Sequence, residues 1–257
     1  MKDIFIADAH LKSPSDDNYI QFLRFLKRNR GDIRTLILLG DIFEFWMGYR
    51  YCVYSAYLPL LHELHAQKLE GTEIVMVEGN HDFNVGHFFT ETLGARVIPD
   101  GGCISLGETR IWVEHGDLIN PSRTYLWLRK LFRSRAARIL NRIIHPDLLW
   151  KFAAYLGKWS KKQRSHQDNT TTHNCKETQT ASSIPQEKII AAAHRRLEMG
   201  CDALVCGHFH CSWQHLQAQP QITVVGEWGE LGTYAEHHQG IFTLRQFAKP
   251  VTTDPEG

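Results

Sequence analysis

Short apolar runs alternate with amphipathic stretches along the first half of the chain, and the runs end on polar clusters. Asp3-Ile4-Phe5-Ile6-Ala7 predicts a buried strand that stops at Asp8-Ala9-His10. Ser13-Pro14-Ser15-Asp16 is helix-start chemistry, and Tyr19, Phe22, Leu23 and Leu26 then fall on one helical face that Gly31 closes. Thr35 to Leu39 predicts a second strand, ending at Gly40-Asp41. A helix is expected from Ser55 to Leu69. The strand Ile74-Val75-Met76-Val77 follows and ends at Gly79-Asn80-His81-Asp82. Val85, Phe88, Phe89 and Leu93 keep helical spacing up to Gly94, and Arg110 to Glu114 predicts a strand ending at His115-Gly116-Asp117. Near the far end, Ser183-Ile184-Pro185-Gln186 opens a helix that runs to Met199-Gly200. Ala203-Leu204-Val205-Cys206 then ends at Gly207-His208-Phe209-His210, and Ile222 to Gly226 and Ile241 to Leu244 read as closing strands.

Between these parts the rhythm changes. Leu128, Leu131, Phe132, Ala136, Ile139, Leu140 and Ile143 predict one helix of four turns, broken by His145-Pro146-Asp147. A second helix carries Leu149, Phe152, Leu156 and Trp159. The expected organisation is a core over residues 1–120 and 184–250, a basic amphipathic helical insertion over 121–165, and a polar linker over 166–183.

Composition changes this picture in one respect. The 257 residues carry a net charge of +1, which makes no case for nucleic-acid binding by the whole molecule. The charge is unevenly placed, however. Residues 121–165 hold 12 of the 29 Lys and Arg residues and a single carboxylate, Asp147. That leaves 17 basic against 27 acidic residues elsewhere. A merely solvated surface predicts mixed signs. The apolar stripes that share these helices favour a membrane surface over nucleic acid as the partner. For the individual leucines, packing within the insertion or on the core is the expectation. Met1-Lys2-Asp3 runs straight into a strand pattern, so no signal peptide is expected. No apolar run approaches the roughly 20 residues that span a bilayer. Six cysteines without a C-x-x-C pair suit free thiols in the cytoplasm. Cys206 and Cys211 are buried thiols or, less simply, soft metal ligands. The sequence says nothing of oligomeric state.

Chemistry enters through recurrence. Each of the five clusters follows a strand, and ligands in open α/β sheets bind beyond the carboxyl ends of the strands. Hard carboxylates, an amide oxygen and several imidazoles suit manganese, iron or zinc better than calcium. There are more ligands than one ion takes. Two divalent ions sharing a carboxylate would use them all and would activate water for attack at phosphorus.

D-x-H, G-D, G-N-H-D, H-G-D and G-H-x-H in this order resemble the calcineurin-like metallophosphoesterase superfamily, over Asp8 to His210. The resemblance implies an α/β fold, a metallophosphoesterase-type β-sandwich core flanked by helices, here with a helical hairpin insertion acting as a lid. It implies one ion on Asp8, His10, Asp41 and His210, and a second on Asp41, Asn80, His115 and His208. His81 matches the catalytic histidine beside the phosphate or leaving oxygen, and Asp82 would orient it. Ala9 stands where a larger apolar residue is common.

A narrower resemblance rests on Gly40-Asp41-Ile42-Phe43-Glu44-Phe45-Trp46, on Asn80-His81-Asp82-Phe83 with Gly86, and on the helical insertion. These are similar to the UDP-2,3-diacylglucosamine pyrophosphohydrolase family of lipid A synthesis, which commonly has arginine in place of His81. It implies a lipid-linked UDP-sugar substrate, two divalent metal ions with manganese first, and peripheral association with the inner membrane from the cytoplasmic side. Trp46 and Phe45 would then be substrate-facing walls, Phe45 being as well suited to the core; Asn80 would also meet the substrate, and Arg123 would contact phosphate or headgroup. Rival readings are a metallophosphoesterase of another substrate class and a catalytically dead binding module. His62, His65, His87 and His145 are expected as surface or helix histidines, and His237-His238 as a solvent-exposed pair rather than an adventitious metal site.

Overall fold

A computed structural model describes residues 1–148, 150, 184–216 and 219–247. The chain opens with β1 (Lys2–Ile6), α1 (Asp17–Arg28), β2 (Ile33–Leu38), α2 (Leu58–Leu69), β3 (Glu73–Val77) and β4 (Arg96–Ile98). A hairpin of β5 (Gly102–Leu106) and β6 (Thr109–Glu114) follows, then α3 (Arg123–Phe132) and α4 (Arg135–Ile143). The described chain resumes at α5 (Gln186–Glu198) and closes with β7 (Ala203–Cys206), β8 (Trp213–His215), β9 (Gln221–Val224), β10 (Thr233–His238) and β11 (Ile241–Gln246).

Two sheets result, ordered β11-β10-β1-β2-β3-β4 and β5-β6-β7-β9-β8. β1 to β4 are parallel to one another, as are β6, β7 and β9. Successive side chains on a strand point to opposite faces, so each apolar run serves two cores. Ile4, Ile6, Leu36, Leu38, Ile74 and Met76 pack beneath α1 and α2 with Phe22, Leu26, Leu60 and Leu64. Their neighbours Phe5, Ala7, Ile37, Val75 and Val77 face the second sheet through Ile104, Ile111, Val113, Ala203 and Val205. The outer face of that sheet, with Leu204, Cys206, Ile222 and Val224, is covered by Ile189 and Ala193 of α5. The layers are helix, sheet, sheet, helix, which is the expected sandwich flanked by helices. All five polar clusters follow parallel strands, so they emerge at the same end of the sandwich.

Some expected elements differ. The single helix over 128–143 is two, because Ser134 caps α4 by accepting the Ala137 amide at 3.1 Å, as Ser122 does for Tyr125 at the start of α3. A serine hydroxyl at that position competes with helix continuation. The helix expected over 85–93 forms over residues 86–92, widening to a π-helical turn over Phe88–Thr92. The strands β4, β5, β8 and β10 carry too few apolar residues to stand out by pattern. The leucines of the insertion do not pack away: Leu128, Leu131, Ile139 and Leu140 are exposed, and α3 buries none of its residues. The second insertion helix beyond Trp150 and the linker over 166–183 lie outside the described residues.

Candidate metal centre

The strand ends converge through backbone contacts first. The Asp8 amide donates to Gly40 O at 3.2 Å, the His10 amide to Asp41 O at 2.9 Å, and the Gly207 amide to His115 O at 2.9 Å. The turns are tight enough to force unusual backbone conformations. Among the described residues, seven non-glycine positions have positive φ, and five of them are Asp8, His10, Asp41, His208 and His210. Each such residue costs on the order of 1–3 kcal/mol and persists only where the surroundings hold it. Gly79 is required by crowding: a Cβ there would lie 2.2 Å from Asp41 Oδ1.

Asp8, Asp41 and His115 form a buried floor; His10, Asn80, His81, His208 and His210 form a partly exposed rim. Asp41 Oδ2 lies 3.6 Å from His115 Nε2 and 3.9 Å from His10 Nε2, between the two halves of the cluster. On one side, His210 Nε2 is 3.8 Å from Asp8 Oδ1, and the His10 and His210 rings stack at 5.5 Å. On the other, His115 Nε2 lies 3.1 Å from Asn80 Oδ1 and 3.2 Å from His208 Nδ1. Among the described residues, three triads have ligand atoms within 4.8 Å of one another and could each hold an ion: Asp8-His10-His210, His10-Asp41-His81 and Asp8-Asp41-His115.

Ring orientation is set from behind. His115 Nδ1 meets Leu39 O at 2.8 Å and His81 Nδ1 meets Glu44 O at 2.9 Å, so the Nδ1–H of each donates to a carbonyl, and in the neutral ring Nε2 carries the lone pair. His210 Nδ1 lies 2.5 Å from Glu227 Oε2. Such outer partners fix imidazole tautomers at metal sites.

The charges on the floor are unbalanced. Burial pushes the Asp8 carboxyl up to about 6, with the Asp41 charge adding to it. Burial would raise Asp41 too, but His115, His81 and His10 outweigh it and hold that carboxyl at about 2. Burial lowers His10 to about 3, and burial with His115 lowers His208 to about 4, so both rings are neutral and able to ligate near neutral pH. His115 moves up, to about 9: burial opposes its charge, and Asp41 and Asp8 prevail. His210 moves up as well, through its hydrogen bond to Glu227. Asp8 Oδ1 is buried with no hydrogen-bond partner. A buried acceptor of that kind is costly unless something electropositive meets it. The donor set and this orphaned oxygen fit a divalent cation.

Several expected site residues are placed differently. Asp82 does not orient His81. Its oxygens accept the amides of Asp41, Gly79, Ile42 and Phe43, at 2.9, 3.0, 2.7 and 3.3 Å, which ties the second and third strand ends together. Trp46 is not a wall of the site: it is 3 % exposed, donates Nε1–H to Val85 O at 2.9 Å and packs on Phe43, Tyr57 and Phe89. Phe45 stays half-buried, edge-on to Trp150 at 5.2 Å. Arg123 is exposed at the start of α3. Arg129 and Arg133 brace α3 on the core. Arg129 reaches Asp117 and Asp100, while Arg133 reaches Glu78, Asp100 and the Pro99 and Gly79 carbonyls. His62, His65 and His145 are exposed, and His87 sits half-buried beside Glu91. His237 is buried rather than exposed, 3.0 Å from Asp3. Cys206 and Cys211 are buried thiols outside the triads.

Glu227 is the residue that sequence reasoning missed. The signal was present: Thr223-Val224-Val225 is an apolar run that ends in Gly226-Glu227, the same punctuation as the other clusters.

Residues 1–212 match the family model described as calcineurin-like phosphoesterase. The chain belongs to that family. It is a metal-dependent hydrolase of phosphoester or phosphoric-anhydride bonds. Among relatives, a UDP-2,3-diacylglucosamine hydrolase of Porphyromonas gingivalis is 28% identical over 245 residues, covering 91% of this chain and 93% of its own. One of the same name from Aeromonas salmonicida is 28% identical over 266 residues, covering 100% and 97%. An archaeal phosphodiesterase shares the fold, with a TM-score of 0.50 at 12% identity over 96% of this chain and 100% of that one. Among the described residues, no helix is long and apolar enough to cross a membrane.

Proposed function

We propose that this calcineurin-like phosphoesterase cleaves the diphosphate of UDP-2,3-diacylglucosamine, giving UMP and 2,3-diacylglucosamine 1-phosphate. The metal would be two divalent ions, manganese first, with iron or zinc as alternatives. Asp8, His10, Asp41 and His210 would hold one, and Asp41, Asn80, His115 and His208 the other. Bound ions supply Lewis acidity, polarising phosphoryl oxygens and lowering the pKa of water. The protein's own part is positional. Asp41, reachable from both halves of the cluster, is the observation that carries the reading. Glu44 O holds His81 Nδ1–H, which leaves Nε2 as the nitrogen that can exchange a proton with the leaving phosphate. Asp82 keeps the loops bearing Asp41 and His81 in one register through four amides.

The substrate reading is supported by full-length relatives that bear that name and by the insertion. Leu126, Trp127, Leu131 and Phe132 are exposed on a basic helix whose base is braced beside Gly79. An exposed apolar face with cationic neighbours suits a lipid surface and acyl chains. We place residues 121–165 as lid and membrane contact on the inner leaflet, with 166–183 as its linker. Phe45, Asn80 and Arg123 are the substrate contacts this leaves.

Turnover after chelation and reloading with manganese tests the proposal. Cleavage of the diacylated UDP-sugar, with close to two ions bound per chain, is expected. Brisk hydrolysis of bis-p-nitrophenyl phosphate with none of the lipid substrate would reject the substrate while keeping the family. Deleting residues 121–165 should abolish vesicle binding; unchanged binding would remove the insertion's proposed role.

A further inference from the structure

Two thiols that belong to none of the metal triads meet on the second sheet. Cys103 lies on β5 and Cys201 in the turn between α5 and β7, with their sulfurs 2.7 Å apart. Cys201 is 1 % exposed, whereas Cys103 is partly open to solvent. Both are held in place. Cys103 pairs with Trp112 across the hairpin. The Cys201 amide donates to Arg196 O at 3.1 Å. Next to it, the Asp202 amide donates to Arg110 O at 2.7 Å, and Asp202 Oδ2 accepts the Arg110 amide at 2.8 Å. Two sulfurs in van der Waals overlap on braced backbones require little movement to bond. We propose that Cys103 and Cys201 are a modification site, closing to an intramolecular disulfide under peroxide.

The order of events follows from exposure. Cys103 loses its proton and its sulfur attacks the peroxide O–O bond; with hydrogen peroxide this gives a sulfenic acid and one water. The Cys201 sulfur then attacks that sulfur, giving up its own proton, and the sulfenic hydroxyl leaves as a second water. Two thiols lose two electrons and the peroxide gains them. Burial, with the contact from Cys103, pushes the Cys201 thiol up to about 12, so it waits as the resolving partner.

The bond would link positions 98 residues apart, and the loop it closes contains the whole insertion. It would tie the hairpin that leads into His115 to the turn that feeds His208 and His210. A closed loop of that length restricts the unfolded chain strongly.

Hydrogen peroxide added to the full-length protein, followed by digestion and mass spectrometry, tests this. Trypsin leaves Cys201, Cys206 and Cys211 on one peptide; a second cleavage before Asp202 isolates Cys201. A Cys103–Cys201 peptide lighter by two hydrogens is expected in wild type and in Cys52→Ser, and absent in Cys103→Ser. The urea midpoint should rise on oxidation, return with a thiol reductant, and not move in Cys103→Ser. Separate alkylation of Cys103 and Cys201 after peroxide, or an equal midpoint rise in Cys103→Ser, would overturn the proposal.

Discussion

Asp3 and Asp8 stand five residues apart around the same strand, both are fully buried, and both lie near an imidazole. Their chemistry is opposite. Asp3 Oδ1 accepts Arg34 Nε–H at 2.9 Å and Oδ2 accepts from Arg34 Nη2 and His237 Nδ1, the latter at 3.0 Å. Burial alone would raise Asp3, but the bonds from His237, Arg34 and Thr35 outweigh it and hold the carboxyl at about 2. Asp8 keeps one oxygen unpartnered and a second carboxylate nearby, and it is raised to about 6. Only Asp8 lies on strained backbone, at φ 52°. A satisfied buried carboxylate holds a fold together. A dissatisfied one, kept so by its surroundings, marks a site that awaits a ligand.

The sharpest way to break this comparison is to neutralise each carboxyl in turn. Asp8→Asn should lower turnover by roughly a thousandfold, about 4 kcal/mol of transition-state stabilisation. After chelation the same variant should melt no lower than wild type, because a group whose folded pKa is raised loses stability as pH climbs past its unfolded value. With metal present it should lose only the stabilisation that bound metal gives wild type. Calorimetry with and without chelator reads this. If chelated Asp8→Asn unfolds earlier than chelated wild type, Asp8 is structural and the contrast fails.

Asp3→Asn should do the reverse, lowering stability by roughly 2 kcal/mol, the worth of a buried carboxylate held at about 2 by His237 and Arg34, with turnover retained in the folded fraction. Glu227→Gln comes next. If it orients His210, metal affinity should fall about ten- to a hundredfold while stability hardly changes, as read by metal titration of the chelated protein. An unchanged affinity would leave Glu227 a bystander.

The smallest effect is the pH profile. Asp3 is depressed when folded, so its stabilisation is complete above its unfolded value near 4 and is lost as pH falls towards 2. Wild type should lose about 2 kcal/mol over that interval, and Asp3→Asn should show a flatter acid limb in urea midpoints.

Much of this was legible locally. Ile4, Ile6 and their neighbours betray a strand with two buried faces because alternation is a property of the extended chain itself. The clusters at Asp8, Asp41, Asn80, His115 and His208 could be read because a parallel strand must deliver its last residues to the same end as its neighbours. Trp46 and Phe45 show where that reading stops. One residue apart, they part company because Val85 O supplies an acceptor in the core for the indole N–H, and nothing near Trp46 in sequence announces it. Asp82 was misread for the same reason: its partners Asp41, Ile42 and Phe43 come from a strand end some forty residues earlier. His237 looked exposed until β10 was paired with β1, which sets it opposite Asp3.

By itself the sequence determined the layered α/β class, the ends of the strands, the inventory of carboxylates and imidazoles, and the placing of basic charge in one insertion. These depend on periodicity and on residue chemistry, which need no partner. Tertiary structure decided which carboxylate is satisfied and which is left wanting. It also brought Glu227 behind His210, braced Arg129 and Arg133 on the core, and set Cys103 against Cys201. Those outcomes depend on distances between residues far apart in the chain, and packing of the two sheets is what sets them.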